Sequence, residues 1–188
     1  MDDRALRVAI IVIGHGIWLS TAALRVLRGQ RAHGLRADVP WLVRYYPPLV
    51  WIPFLVPTLL VRTEHEIADE LQAVGVAVAL AGSAFAAWGM WSLGRAYGIG
   101  VDLFEGHRLK TDGPFAVVRH PMYLGILVYH LGAALALQSV LLLALTALVV
   151  LPYTAARIAY EDRVLREGFG EAYLAYARRT PALLPLSR

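Results

Sequence analysis

Cysteine is missing from all 188 positions, so disulfides, thiolate metal sites and a cysteine nucleophile are excluded. Charge is scarce too: Asp, Glu, Lys and Arg make up 17% of the chain against 58% hydrophobic residues. That apolar share exceeds the one found in ordinary soluble domains. No polar stretch is long enough for a separate soluble domain, and no internal repeat or low-complexity tract is present. With a mean hydropathy of +0.54, what remains reads as one all-α integral membrane domain over 1–188. The net charge of +4 is then a matter of membrane surface and lipid headgroups rather than of nucleic acid.

Apolar stretches of about 20 residues, enough to cross a bilayer, run from Leu6 to Leu27, Trp41 to Val61 and Leu71 to Leu93. Between Pro121 and Tyr160 lies a nearly uncharged run with a weak polar break at Gln138–Ser139, which fits two antiparallel spans in a hairpin over 121–157. The expected architecture is therefore a bundle of five transmembrane helices, three in 1–93 and two in a chemistry-bearing half, 94–188. No small-residue cleavage site follows the first run, so it reads as a retained span. Four prolines, Pro47, Pro48, Pro53 and Pro57, predict a kinked second helix. Gly75, Ala79, Gly82 and Ala86 predict close helix contact along the third. Five spans leave Arg4, Arg7 and Arg62 on one side and the other 15 Lys and Arg on the opposite one, which the positive-inside tendency makes cytoplasmic.

Two polar segments fall on that cytoplasmic side. The first, HRLKTDGPFAVVRHPMY over 107–123, sets His120 directly before Pro121, a residue suited to the first turn of a helix. His120 and Tyr123 then mark a helix N-terminus, whose free N–H groups and partial positive charge attract a carboxylate or phosphate. Gly113–Pro114 marks a turn able to fold the preceding loop toward that opening. The second segment, RIAYEDRVLREGFGEAYLAYARRTPALLP from Arg157, predicts a separate charged amphipathic helix beginning where the apolar run ends. Arg157 and Glu161, four apart, share one of its faces and reach a common ligand. Asp162, Arg163, Arg166 and Glu167 are assigned to its solvated side. Gly168 and Gly170 predict a break before a short helix holding Tyr173 and Tyr176. The six histidines are scattered, and no metal site is expected.

The ordered array LKTDGPFAVVRHPMYLG, a hairpin of about 35 residues, R-x-x-x-E-D, FGEAYLAY and RRTPALLP resembles the isoprenylcysteine carboxyl methyltransferase family and its bacterial relatives. The resemblance covers residues 95–185. It implies a multi-pass membrane enzyme with S-adenosyl-L-methionine as cofactor, an active site facing the cytoplasm, and a lipophilic small-molecule or lipid-modified substrate. By position it implies cofactor contacts at His107, Arg108, Leu109, Lys110, Phe115, His120, Pro121, Met122, Tyr123 and Glu161, and a substrate contact at Arg157. Arg157 and Glu161 are thus the pair implied to carry the chemistry. The chain departs from the family at Phe115, commonly Tyr, at Asp162, often Glu, and near Gly100, where eukaryotic members have a polar cofactor contact.

Methyl transfer from a sulfonium needs positioning more than acid or base groups, since the leaving thioether is neutral. A carboxylate acceptor arrives ionised and is oriented by a guanidinium alone, which favours O-methylation; an amine or thiol calls for a proton acceptor. Phospholipid, amine and thiol acceptors stay open, as do an NADPH-dependent membrane reductase on a related scaffold and a non-enzymatic transporter or accessory protein.

Overall fold

The computed structural model describes residues 3–27, 39–60, 69–94 and 108–184, and among these every regular element is helical. In chain order they are α1 (Asp3–Leu27), α2 (Trp41–Arg44), α3 (Tyr46–Leu60), α4 (Asp69–Leu93), α5 (Pro114–Val117), α6 (Pro121–Ala136), α7 (Val140–Leu145), a π-helical turn (Thr146–Val150), α8 (Leu151–Phe169) and α9 (Glu171–Arg179). Two helical stretches, Glu70–Leu93 and Val140–Phe169, are long and apolar enough to cross a membrane. Shorter apolar helical stretches cover Ala5–Gly14, Leu49–Leu59 and Pro121–Ala136.

The bundle is organised around α6, which packs most closely on α4. The small residues make this possible. A Cβ built on Gly125 would lie 2.5 Å from the Ala86 nitrogen and the Gly82 oxygen, and one on Gly82 would lie 2.5 Å from the Tyr129 nitrogen. The two backbones therefore touch without intervening side chains, as the spacing of Gly75, Ala79, Gly82 and Ala86 predicts. On the other side of α6, Tyr129 is buried among Ile10, Phe54 and Leu137, and its hydroxyl donates to the Ile10 carbonyl at 3.0 Å. Arg7 reaches from the start of α1 to the Thr58 carbonyl near the end of α3, 2.8 Å away.

Local chemistry sets the element ends that matter for the site. Pro121 opens α6, with His120 at the cap in a conformation neither helical nor extended, φ −123° and ψ 63°. The hairpin turns at Gln138 and Ser139, and the Ser139 hydroxyl accepts from the Leu142 N–H at 3.2 Å to cap α7. In the second apolar segment the interruption falls at Tyr45, ahead of the four prolines, while Pro53 and Pro57 sit inside α3.

One expectation is corrected. The charged segment from Arg157 is not a separate helix; α7, the π turn and α8 run on from Val140 to Phe169. Nothing between 151 and 167 breaks a helix except Pro152, and its lack of an N–H and its clash with the carbonyl four residues back are met by the loosened turn just before it. Leu151 accordingly bonds back five residues to the Thr146 carbonyl. The inserted residue rotates all that follows by about 100°. Leu142, Thr146, Val150, Thr154, Arg157 and Ile158 thereby stay on the buried side of one continuous helix. Gly170, in the left-handed region at φ 52°, ends α8 and turns the chain into α9.

Candidate functional site

Where α8 emerges from its apolar run, its inward face meets the foot of α6. Arg157 is buried, and its Nε donates to the Tyr123 hydroxyl and to Glu161 Oε1, both at 2.9 Å. The Tyr123 hydroxyl in turn donates to Glu161 Oε1. Arg157 Nη1 donates to the Val43 carbonyl at the end of α2, 2.6 Å away, and its guanidinium carbon lies 5.9 Å from the centre of the Tyr46 ring. Tyr46 itself hydrogen-bonds Thr154 at 2.9 Å, one turn up α8. Residues 43, 46, 123, 154, 157 and 161, spread over four helices, thus form one polar cluster at the end of an apolar bundle.

A second set of contacts adjoins it. His120 Nε2 is 2.7 Å from Asp162 Oδ1 and its Nδ1 is 3.5 Å from Glu161 Oε2, so the ring lies between two carboxylates. Asp162 also accepts from Arg119 Nη2 at 3.0 Å and from the Tyr173 hydroxyl. Arg119 Nη1 donates to the Thr180 and Ala177 carbonyls at 2.8 and 3.2 Å, holding the end of α9. The backbone N–H groups of Arg119 and His120 donate to the carbonyls of Pro181 and Ala182. The Tyr176 hydroxyl donates to the Phe115 carbonyl at 2.6 Å. The loop before α6 is therefore pinned to the C-terminal helices by side chain and backbone alike.

Burial opposes the charge on His120, but hydrogen bonds to Asp162 and Glu161 outweigh it and raise the imidazole pKa. Only the charged ring carries a proton on both nitrogens and so presents an N–H toward each carboxylate, hydrogen-bonded to Asp162 at 2.7 Å and paired with Glu161 at 3.5 Å. Burial also pushes the Tyr176 phenol up to about 12 and raises Tyr173, helped there by Asp162, so both stay protonated donors. With His120 charged, the cluster holds three cations, Arg119, His120 and Arg157, against two carboxylates, Glu161 and Asp162.

The residues expected from sequence divide into groups. Arg157, Glu161, His120 and Tyr123 come together within direct contact. Leu109, Lys110 and Phe115 line a small cavity with Arg119, Phe169 and Tyr173, next to the Asp162 contacts. Lys110 pairs with Asp112 at 2.9 Å on the surface, and Arg108 is exposed. Pro121 and Met122 turn toward Gly89 of α4. His107 and Gly100 lie outside the described residues. His120 also differs from expectation: it makes no side-chain cap bond to the helix, and its ring faces the two carboxylates instead. Asp162, assigned to the solvated side, accepts three inward-facing donors, because its neighbours come from the loop before α6 and from α9 rather than from its own helix. Arg119, Tyr173 and Tyr176 join the site with no motif in the sequence that marks them; the i, i+3 spacing of the two tyrosines is the available signal. Among the described residues no group of three or more His, Asp and Glu is placed to hold a metal ion.

Comparison with known proteins bears on the same half of the chain. The family model for phospholipid methyltransferases matches residues 71–172. Protein-S-isoprenylcysteine O-methyltransferase B of Arabidopsis thaliana is 37% identical over 81 residues, 43% of this chain and 41% of that protein. The protein-S-isoprenylcysteine O-methyltransferase of Schizosaccharomyces pombe is 36% identical over 80 residues, 43% of this chain and 34% of its own. The cobalt-zinc-cadmium resistance protein CzcN of Cupriavidus metallidurans is 38% identical over 81 residues, 43% and 37% of the two chains. The matched stretch thus spans less than half the length of each of these relatives. With Tyr123, Thr154, Arg157 and Glu161 of the polar cluster inside the matched region, which takes in more than half of the chain, the chain belongs to the phospholipid methyltransferase family.

Proposed function

We propose that the protein is an integral membrane methyltransferase that uses S-adenosyl-L-methionine and acts on a lipophilic acceptor, a carboxylate in the first instance. One observation carries this reading: Glu161 and Arg157, joined by Tyr123, sit at the border between apolar bundle and polar tail, where a soluble donor and a lipid-borne acceptor meet. The donor set suits the cofactor. Glu161 offers a carboxylate for an ammonium or sulfonium, Lys110 and Arg119 offer cations for a carboxylate, and Phe115 and Phe169 offer aromatic walls. When bound, S-adenosyl-L-methionine supplies the methyl group on a positively charged sulfur.

The residues then divide the work. Glu161 Oε1 already accepts from Tyr123 and Arg157, and its Oε2 faces the His120 cation, so taking up a proton breaks established contacts. Such a group serves as fixed negative charge rather than as a general base, which favours an acceptor that arrives ionised. The excess positive charge of the cluster points the same way. Arg157 orients the acceptor carboxylate, which takes the place of the Val43 carbonyl on the guanidinium and so makes α2 the acceptor-side wall. Five membrane-crossing helices, α1, α2–α3, α4, α6 and α7–α8, with the polar cluster on the cytoplasmic side, let the acceptor tail lie among helices while the cofactor comes from water. The opposite placement of the Arg7–Thr58 contact and the Arg157–Val43 contact at the two ends of the second apolar segment supports that topology.

A phospholipid amine is the second reading, favoured by the family model over 71–172. Transfer of a labelled methyl group from S-adenosyl-L-methionine to lipophilic carboxylates, thiols and phosphatidylethanolamine in detergent micelles separates the two. The proposal expects carboxyl methyl esters and an Arg157→Lys variant with raised KM for the acceptor. Labelled phospholipid with no ester selects the amine reading, and no transfer to any acceptor contradicts both.

A further inference from the structure

We propose that Asp162 is a positioning residue: anchored by Arg119 and Tyr173, it holds His120 as the bracket that fixes the Glu161 carboxylate. This rests on the reading of Glu161 as a cofactor contact and assigns the neighbouring acid a different task. Adjacent residues on a helix diverge by about 100°, so Glu161 and Asp162 cannot present their carboxylates to one small ligand from the same face. Glu161 points to Tyr123 and Arg157, inside the bundle. Asp162 points to the corner between the loop before α6 and α9, where Arg119 and Tyr173 hold it in place.

His120 spans the gap between the two acids, and each ring nitrogen faces one of them. Imidazole geometry is rigid, so fixing one nitrogen fixes the direction of the other. The short contact, 2.7 Å, is on the Asp162 side and the longer one, 3.5 Å, on the Glu161 side. Asp162 therefore anchors the ring, and the ring restrains Glu161 Oε2. The other groups facing His120 are Tyr123, whose ring is 5.8 Å away on α6, and Arg119 next to it in the chain, which shares Asp162 as partner. Arg119 also ties this anchor to the carbonyls at the end of α9, so the C-terminal helices set the orientation of a group on α8 through a residue on the loop before α6.

The test is the protonation of His120, read by NMR on the full-length protein in micelles with labelled histidine, the resonance assigned by its loss in His120→Gln. Asp162→Asn keeps the shape of the side chain and removes its charge. The expected result is a His120 midpoint below that of the wild type. Affinity for S-adenosyl-L-methionine in the variant should begin to fall at a lower pH than in the wild type, by about tenfold once the ring has lost its proton. Asp162→Glu should restore the wild-type profile, which a general packing defect does not predict. If Asp162→Asn does not fold, Tyr173→Phe decides. It strips a competing donor from Asp162 Oδ1 and should raise the His120 midpoint. A midpoint equal to the wild type in the folded Asp162→Asn protein, or in Tyr173→Phe otherwise, overturns the proposal. A wild type that binds no S-adenosyl-L-methionine overturns the cofactor reading of Glu161 and leaves the imidazole shift to decide the role of Asp162.

Discussion

The Tyr123 hydroxyl sits between a guanidinium and a carboxylate, giving its one proton to Glu161 and accepting from Arg157. Tyr123→Phe removes both contacts without opening a cavity. It should cost about 1–3 kcal/mol, read as a lower unfolding temperature in detergent. His120 makes a prediction in pH. Its folded pKa is raised, so its contribution to stability is complete below about pH 6.5 and is lost as the pH rises through the folded value. The difference in unfolding temperature between wild type and His120→Gln should shrink as the pH is raised over that range, and a constant difference would contradict it. At this scale the sequence disclosed the contacts that run along one helix. Arg157 and Glu161 are legible because four-residue spacing on a helix fixes a shared face. Asp162 is not, since its partners lie 43, 42 and 11 residues away and only the packing of α6 and α9 brings them to it.

Among the elements, the α4–α6 contact carries the fold that holds the site. A side chain at Gly125 meets backbone atoms rather than a flexible side-chain end, so α4 and α6 must separate to admit it. Gly125→Val should destabilise the protein by at least about 1–3 kcal/mol and lower its unfolding temperature, whereas Gly16→Ala, with only the tip of Val12 within 4 Å, should leave it nearly unchanged. Small-residue spacing made that interface readable. The continuous helix from Val140 to Phe169 was not, because the hydropathy change near Arg157 resembles an element boundary while the backbone carries on through it. Pro152 was the local sign of an irregular turn, but its effect is to rephase the helix, which depends on the face α3 and α6 offer to it.

Across the whole molecule, the polar cluster and the hairpin tip are expected on opposite sides of the membrane. The natural lack of cysteine allows single introduced thiols to report this directly. In sealed vesicles of known orientation, Asp112→Cys should react with an impermeant maleimide from the cytoplasmic face and Ser139→Cys from the other, and labelling of both from one face would refute the five-span arrangement. The measurement that bears most directly on the central claim is titration calorimetry of S-adenosyl-L-methionine with the wild type and Glu161→Gln. The account predicts binding to the wild type and a loss of about tenfold or more in the variant, whose circular dichroism is unchanged. Equal affinity in both proteins, or none in the wild type, would contradict it.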